Sequence, residues 1–175
     1  MRTLALSALF ALAAASAPLL AHAQTAAPDT MSPEHPDELA VDPYARSNAN
    51  AGATPFEGTA MYEAFHGEAG VGRIVDGLVA RSVADPRISG IFAASDLVRL
   101  RRTLKEQFCY ILGGGCAYSG RDMAAAHAQM GAQPADMGAL VENLQAAMSD
   151  EGVPFATQNR FLAKLAPMKP DVVTR

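Results

Sequence analysis

Apolar residues recur every three or four positions through most of residues 60–173, in runs that end at glycine or proline. The clearest run consists of Val71, Ile74, Val75, Leu78, Val79 and Val83. This spacing places the apolar side chains on one face of an α-helix, whereas a half-buried strand would need strict alternation. Asp85-Pro86 follows the run, and the proline disfavours helical backbone at the residue before it. The pattern predicts an all-α fold.

The same signals predict further helices along the chain. One spans about residues 95–112 and is capped by Ser95 or Asp96. Its apolar face carries Leu97, Leu100, Leu104, Phe108 and Ile111. Pro134 and Pro154 stand at two further helix starts, where proline is well tolerated because the first turn needs no backbone donor. These helices can enclose one core.

His127 lies in a short predicted helix of small residues. Alanines surround it and Gly131 follows, which predicts about two helical turns and a left-handed cap. Met123 precedes His127 by four residues and Met130 follows it by three, so the three side chains share one face. A neutral imidazole facing an apolar slot can hold haem iron from one side. The alternative is a hydrogen-bonded core histidine, which is the commoner role of a lone histidine on an apolar face.

Several short segments follow one another in an order and spacing that are specific. They are Met61-Tyr62-Glu63-Ala64-Phe65, Ala84-Asp85-Pro86-Arg87, Leu112-Gly113-Gly114, Tyr118-Ser119-Gly120-Arg121-Asp122-Met123 and Ala126-His127-Ala128. In these segments the chain resembles the group 1 truncated haemoglobins. The resemblance implies a two-over-two helical sandwich that holds haem b, with His127 as the proximal iron ligand. It also implies that the iron binds a diatomic gas, namely oxygen, nitric oxide or carbon monoxide.

The resemblance also bears on the distal face of the haem. Family members that stabilise bound oxygen place a tyrosine in the second helix and glutamines in the third. The tyrosine position falls on Val79, and the glutamine positions fall on Leu100 and Leu104. All three are apolar here, so the sequence predicts an apolar distal pocket and a modest affinity for oxygen. Gln107 lies one turn beyond Leu104 and is predicted to be a surface residue.

Other residues are expected around the same haem. Phe92 matches the aromatic residue that packs against the porphyrin. Phe108, Met123 and Met130 are predicted to help to close the pocket. The candidates to meet the haem propionates are Tyr118, Arg99, Arg101 and Arg102, because charge-assisted hydrogen bonds suit carboxylates. The alternative is that these arginines are solvated surface charges.

The first 59 residues divide into two segments of different composition. Residues 1–23 contain Arg2, an apolar run and Ala21-His22-Ala23, which predict an export signal cleaved after Ala23. A membrane anchor is the less favoured alternative, because the run is short for a bilayer span. Residues 24–59 are rich in proline, alanine and polar residues, and a disordered linker is predicted there. The truncated globin domain is then predicted over residues 60–173, in a periplasmic or secreted protein.

Cys109 and Cys116 are the only cysteines of the chain. In an exported protein an intrachain disulfide is the leading interpretation. Free thiols and a metal-binding pair are the alternatives, and the second lacks further ligands. If the disulfide forms, it holds the segment that leads to His127.

The charge and the motifs limit the other classes of function. The formal net charge is −4, with no basic stripe, which argues against nucleic-acid binding. A peroxidase has no support, since no motif places a distal histidine, arginine or catalytic acid, and enzymatic turnover is left open. A periplasmic electron donor is a candidate partner. The alternative function is an exported helical protein-interaction module without haem.

Overall fold

The structure, a computed structural model, describes residues 34–175, and every regular element in that range is helical. The α-helices are α1 (Ala60–Ala64), α2 (Gly67–Ala84), α3 (Ser89–Phe92), α4 (Leu97–Ile111), α5 (Met123–His127), α6 (Pro134–Asp150), α7 (Phe155–Leu165) and α8 (Lys169–Val172). Two 3₁₀ helices cover Asn48–Ala51 and Ala166–Met168. No helix within residues 34–175 has both the length and the apolar character needed to cross a bilayer. The predicted all-α fold is confirmed, whereas the predicted export signal lies outside the described residues.

Local sequence explains where the long helices begin and end. Helix α2 ends at Ala84, directly before Asp85-Pro86. Helix α4 begins after Asp96, whose carboxylate accepts hydrogen bonds from the backbone N–H groups of Val98 at 3.1 Å and Arg99 at 3.0 Å. Asp96 is therefore the cap, and it satisfies two of the backbone donors that a helix start leaves free.

Packing of α2, α4, α6 and α7 forms the core. Helix α2 packs against both α4 and α6, and α6 packs against α7. Three phenylalanine rings meet edge to face at the centre of the core. The ring centroid of Phe161 lies 5.1 Å from that of Phe65 and 4.9 Å from that of Phe108. Such aromatic pairs add to the stabilisation from buried apolar area.

Residues 34–52, here called the N-terminal strap, bind to the outside of α4 and to the segment before α5. The Leu39 N–H donates to the Asp96 carboxylate at 2.7 Å, and the Tyr44 hydroxyl donates to the Ser119 carbonyl at 2.8 Å. Gly52 has φ +80°, and a Cβ there would lie 2.6 Å from Met168 Sδ, so only glycine fits this close approach.

These contacts correct one prediction. A disordered linker was expected over residues 24–59, but its described part, residues 34–59, is bound to the domain; residues 24–33 lie outside the described residues. The composition predicted disorder because the segment has few apolar residues. Its order comes instead from hydrogen bonds and ion pairs to residues far along the chain, which composition does not reveal.

The disulfide between Cys109 and Cys116 is present, as predicted. The two Cα atoms are 5.7 Å apart, within the ordinary range for a disulfide. It joins the last part of α4 to the segment that leads through Tyr118 to α5. The bond therefore limits how far that segment can move from α4.

Candidate functional site

Two adjoining cavities lie between α2 and α4 on one side and α5 and α6 on the other. The larger has a volume of about 640 Å³ and the smaller about 120 Å³. Eight residues line both cavities, which shows that the two are neighbours: Leu78, Leu100, Leu104, His127, Met130, Met137, Leu140 and Val172. The larger volume lies within the roughly 300–1,000 Å³ typical of cofactor sites.

The structure brings together all nine residues predicted to surround a cofactor. Each lines at least one of the two cavities: Val79, Phe92, Leu100, Leu104, Phe108, Tyr118, Met123, His127 and Met130. They come from α2, α3, α4, α5 and the segments that flank α5. Most are apolar, so much of the cavity wall offers no hydrogen-bond partner to a ligand or to water.

The His127 ring is held by one hydrogen bond. Its Nδ1 lies 2.7 Å from the carbonyl oxygen of Met123, one helical turn earlier. Because a carbonyl can only accept, Nδ1 carries a proton, and in the neutral imidazole Nε2 then holds the lone pair. Nε2 has no hydrogen-bond partner among residues 34–175. This arrangement, with one ring nitrogen bonded to a backbone carbonyl and the other available, is the usual one for a metal-ligating histidine.

Two polar side chains on the wall of the larger cavity, Tyr118 and Arg99, have partners that can be described. Burial raises the pKa of Tyr118 to about 12, and its hydroxyl donates to the Arg121 carbonyl at 3.1 Å. Tyr118 therefore stays neutral. Arg99 pairs with Glu38 at 3.4 Å and Asp96 at 3.7 Å, yet its buried Nε has no hydrogen-bond partner among residues 34–175.

Comparisons with known proteins assign this arrangement to a family. The sequence model of the bacterial-like globins matches residues 60–174. The chain belongs to the bacterial-like globin family. Over 118 residues this globin is 29% identical to the group 1 truncated hemoglobin GlbN of Mycolicibacterium paratuberculosis, covering 67% of this chain and 87% of that protein.

Solved structures agree with this assignment. The globin resembles the Fe(III) form of the truncated hemoglobin from Tetrahymena pyriformis with a TM-score of 0.63 and 26% identity, covering 66% of this chain and 98% of that one. It resembles the 2/2 hemoglobin of Synechococcus, a cyanomet form with covalently attached heme, with a TM-score of 0.60 and 25% identity, covering the same shares of the two chains. The predicted two-over-two sandwich and the resemblance to group 1 truncated haemoglobins are confirmed. Membership of the family implies haem and gas binding.

Two of the arginines predicted to meet propionates do not line either cavity of the globin. Arg101 donates to the Leu97 carbonyl at 3.2 Å and pairs with Asp76 at 3.6 Å. Arg102 pairs with Glu38 and, at 2.8 Å, with Glu106. Arg101 and Arg102 therefore pair with carboxylates away from the cavities, and Arg99 alone of the three lines the larger cavity.

Gln107 corrects another prediction. It was expected at the surface, but only 6% of it is exposed, and it lines the larger cavity. Its Nε2 donates to the Ala51 carbonyl at 2.8 Å. The N-terminal strap supplies this acceptor, and the strap was expected to be disordered.

Sequence reasoning missed several polar residues on the cavity walls, among them Lys169 and Ser82. Lys169 lines the larger cavity and begins α8, where no apolar pattern drew attention to it. Ser82 lines the smaller cavity and is 1% exposed. A signal for Ser82 did exist, because it follows Leu78 by four positions and Val79 by three, and so lies on the apolar face of α2.

Proposed function

We propose that this globin holds haem b in the larger cavity, with His127 as the proximal ligand, and binds a diatomic gas. The observation that carries the proposal is the His127 ring, in which the Met123 carbonyl fixes Nδ1 and leaves Nε2 available beside a large apolar cavity. Family membership supports the same function. When bound, the haem would supply an iron atom that can take oxygen, nitric oxide or carbon monoxide.

The residues on the walls fit such a group. Apolar side chains of the larger cavity such as Leu104 and Phe108 would contact the macrocycle, and Phe92 lies on the wall of the adjoining smaller cavity. Arg99, whose buried Nε lies 3.7 Å from Asp96 Oδ2 without a hydrogen bond, and Lys169 would meet the two propionate carboxylates through charge-assisted hydrogen bonds. Arg99 would then satisfy a buried donor that is otherwise left without an acceptor.

Three positions where the family places hydrogen-bond donors are apolar in this chain. Val79, Leu100 and Leu104 line the cavities but carry no hydrogen-bond donor on their side chains. Oxygen gains more from a donor than carbon monoxide does, because oxygen takes on more negative charge when it binds. These three side chains therefore add nothing to the retention of oxygen relative to carbon monoxide.

The proposal includes export to the periplasm or the medium. Residues 1–23 have the composition of a cleaved signal, and the Cys109–Cys116 disulfide suits an oxidising compartment. Such a globin would work outside the cytoplasm, with a periplasmic electron donor as a partner that keeps the iron reduced.

The decisive experiment is the absorption spectrum of residues 24–175 reconstituted with haemin. We expect a sharp Soret band in the wild type that is lost or displaced in His127→Ala, in ferric, ferrous and carbonmonoxy forms. His35→Ala is the matched control. His35 is an exposed histidine of the N-terminal strap that pairs with Asp37 and lines neither cavity. It should keep the wild-type spectrum.

The opposite result would favour a different function. Equal, broad spectra from the wild type and His127→Ala would mean that haem binds without a specific ligand. The exported helical interaction module without haem would then be the better account.

A further inference from the structure

The hydroxyl of Ser82 is buried and has no hydrogen-bond partner among the described residues. The residue is 1% exposed, and its Oγ has no hydrogen-bond partner among residues 34–175. Only two other buried side-chain nitrogen or oxygen atoms in that part of the chain share this condition, Arg81 Nε and Arg99 Nε. A buried polar group without a partner is destabilising, so each such case calls for an explanation.

The explanation offered by the fold is the smaller cavity. Ser82 lines it together with apolar residues of α2, α3 and α4. The other polar side chains on its wall are His127, whose Nδ1 is bonded to Met123, and Asp136, whose carboxylate accepts from the Gln133 N–H at 2.8 Å. A volume of about 120 Å³ accommodates a diatomic molecule or a few waters, since a liquid water occupies about 30 Å³.

The position of Ser82 relates it to the gas site. It lies one turn after Val79 on α2, and both line the smaller cavity. Val79 stands where the family places its donor tyrosine. The cavity therefore lacks a donor at the expected position and has an unsatisfied one a turn away.

We propose that the Ser82 hydroxyl is the hydrogen-bond donor of the distal pocket and acts on the bound gas directly or through one water in the smaller cavity. This inference rests on the proposed function. It makes Ser82 a selectivity residue, because a single neutral donor favours oxygen over carbon monoxide. It also gives an acceptor to the Ser82 hydroxyl, which has no hydrogen-bond partner among residues 34–175.

The test compares Ser82→Ala with the wild type in the haem-loaded chain. We expect oxygen to dissociate about tenfold faster from the variant, which corresponds to about 1.4 kcal/mol. Carbon monoxide dissociation should change much less. The infrared C–O stretch of the carbon monoxide complex should move to higher frequency, because the positive end of the hydroxyl dipole is lost.

Two further variants make the result specific. Ser82→Thr keeps the hydroxyl and should keep the wild-type C–O frequency and oxygen dissociation rate. Ser149→Ala removes a hydroxyl that lies outside both cavities and accepts from Gln158 Nε2 at 3.2 Å. It should change neither measurement.

The outcomes separate this inference from the proposed function. A normal, His127-dependent Soret band combined with wild-type oxygen and C–O values in Ser82→Ala would overturn the role of Ser82 alone. A change that Ser82→Thr fails to restore would also overturn it, since packing and not the hydroxyl would be responsible. Loss of His127-dependent haem binding in the wild type would overturn both proposals.

Discussion

The two faces of α4 are held in different ways. The inner face places Leu100, Leu104 and Phe108 on the cavity walls. The outer face places Arg102 and Glu106 in a polar network, in which Glu106 Oε2 accepts from Ser119 Oγ at 2.7 Å. The inner face depends on buried apolar area, which is not directional, whereas the outer face depends on paired charges whose positions must match.

This comparison implies that the two faces respond differently to mutation and to pH. Loss of an inner side chain removes buried apolar contacts and enlarges the space between the helices. Loss of an outer charge leaves its partner unpaired. The cost in stability rises with how deeply that partner is buried. Mutations on the inner face should therefore have the largest effects on stability, and mutations of the exposed ion pairs the smallest.

Phe108→Ala tests the inner face and should give the largest effect. Phe108 is 3% exposed and packs edge to face on Phe161, so we expect a loss of about 3 kcal/mol in the free energy of unfolding. Urea unfolding followed by circular dichroism measures it. Phe108→Leu, which keeps much of the volume, should lose about 1 kcal/mol. A loss for Phe108→Ala below that of the outer-face variants would reverse the ranking.

Glu38→Gln tests the buried part of the outer face. The Glu38 side chain is fully buried, and its Oε2 accepts from Arg102 Nη2 at 3.0 Å. The change removes a charge-assisted pair and should cost about 2 kcal/mol in the same unfolding measurement. Glu34→Gln is the matched control, because Glu34 also pairs with Arg102, at 3.1 Å, but is more exposed. Equal losses for the two variants would show that burial does not set the strength of the network.

The pH dependence of the Glu38 effect should follow from its pKa. Hydrogen bonding from Arg102 holds the pKa of Glu38 below its ordinary value of 4.5. A carboxyl group with a lowered folded-state pKa stabilises the protein above the unfolded value, and this stabilisation is lost as the pH falls through the folded value. The difference between wild type and Glu38→Gln should therefore shrink below about pH 4.5. A difference that stays constant down to pH 2 would contradict the assigned ion pair.

Asp76→Asn tests the exposed part of the outer face and should give the smallest effect. Asp76 on α2 pairs with Lys105 at 3.1 Å, and the two side chains are 51% and 40% exposed. Solvent screening limits such a pair to about 0.5 kcal/mol. The unfolding midpoint at low and high salt measures it. A loss near that of Glu38→Gln, or one that salt does not reduce, would show that exposed charges also hold α4 to α2.

Much of the helical order could be predicted, and the reason is local. The stop after Ala84 and the cap at Asp96 depend on residues within one turn of each helix end. The residues around the cavities were also predictable, because the family pattern assigns positions along helices whose spacing is regular. Gln107 was not predictable from its helix alone, since its acceptor is the Ala51 carbonyl, 56 positions away.

The sequence by itself determined the helices, their apolar faces and the histidine that stands among small residues, because helix formation and amphipathic spacing depend on neighbours within one or two turns. Only the tertiary structure decided which polar groups find partners. Glu38 pairs with Arg102 across 64 positions, whereas Ser82 Oγ has no hydrogen-bond partner in the described chain. Hydrogen bonds are short and directional, so their presence depends on how distant segments are placed in space, which local sequence does not specify.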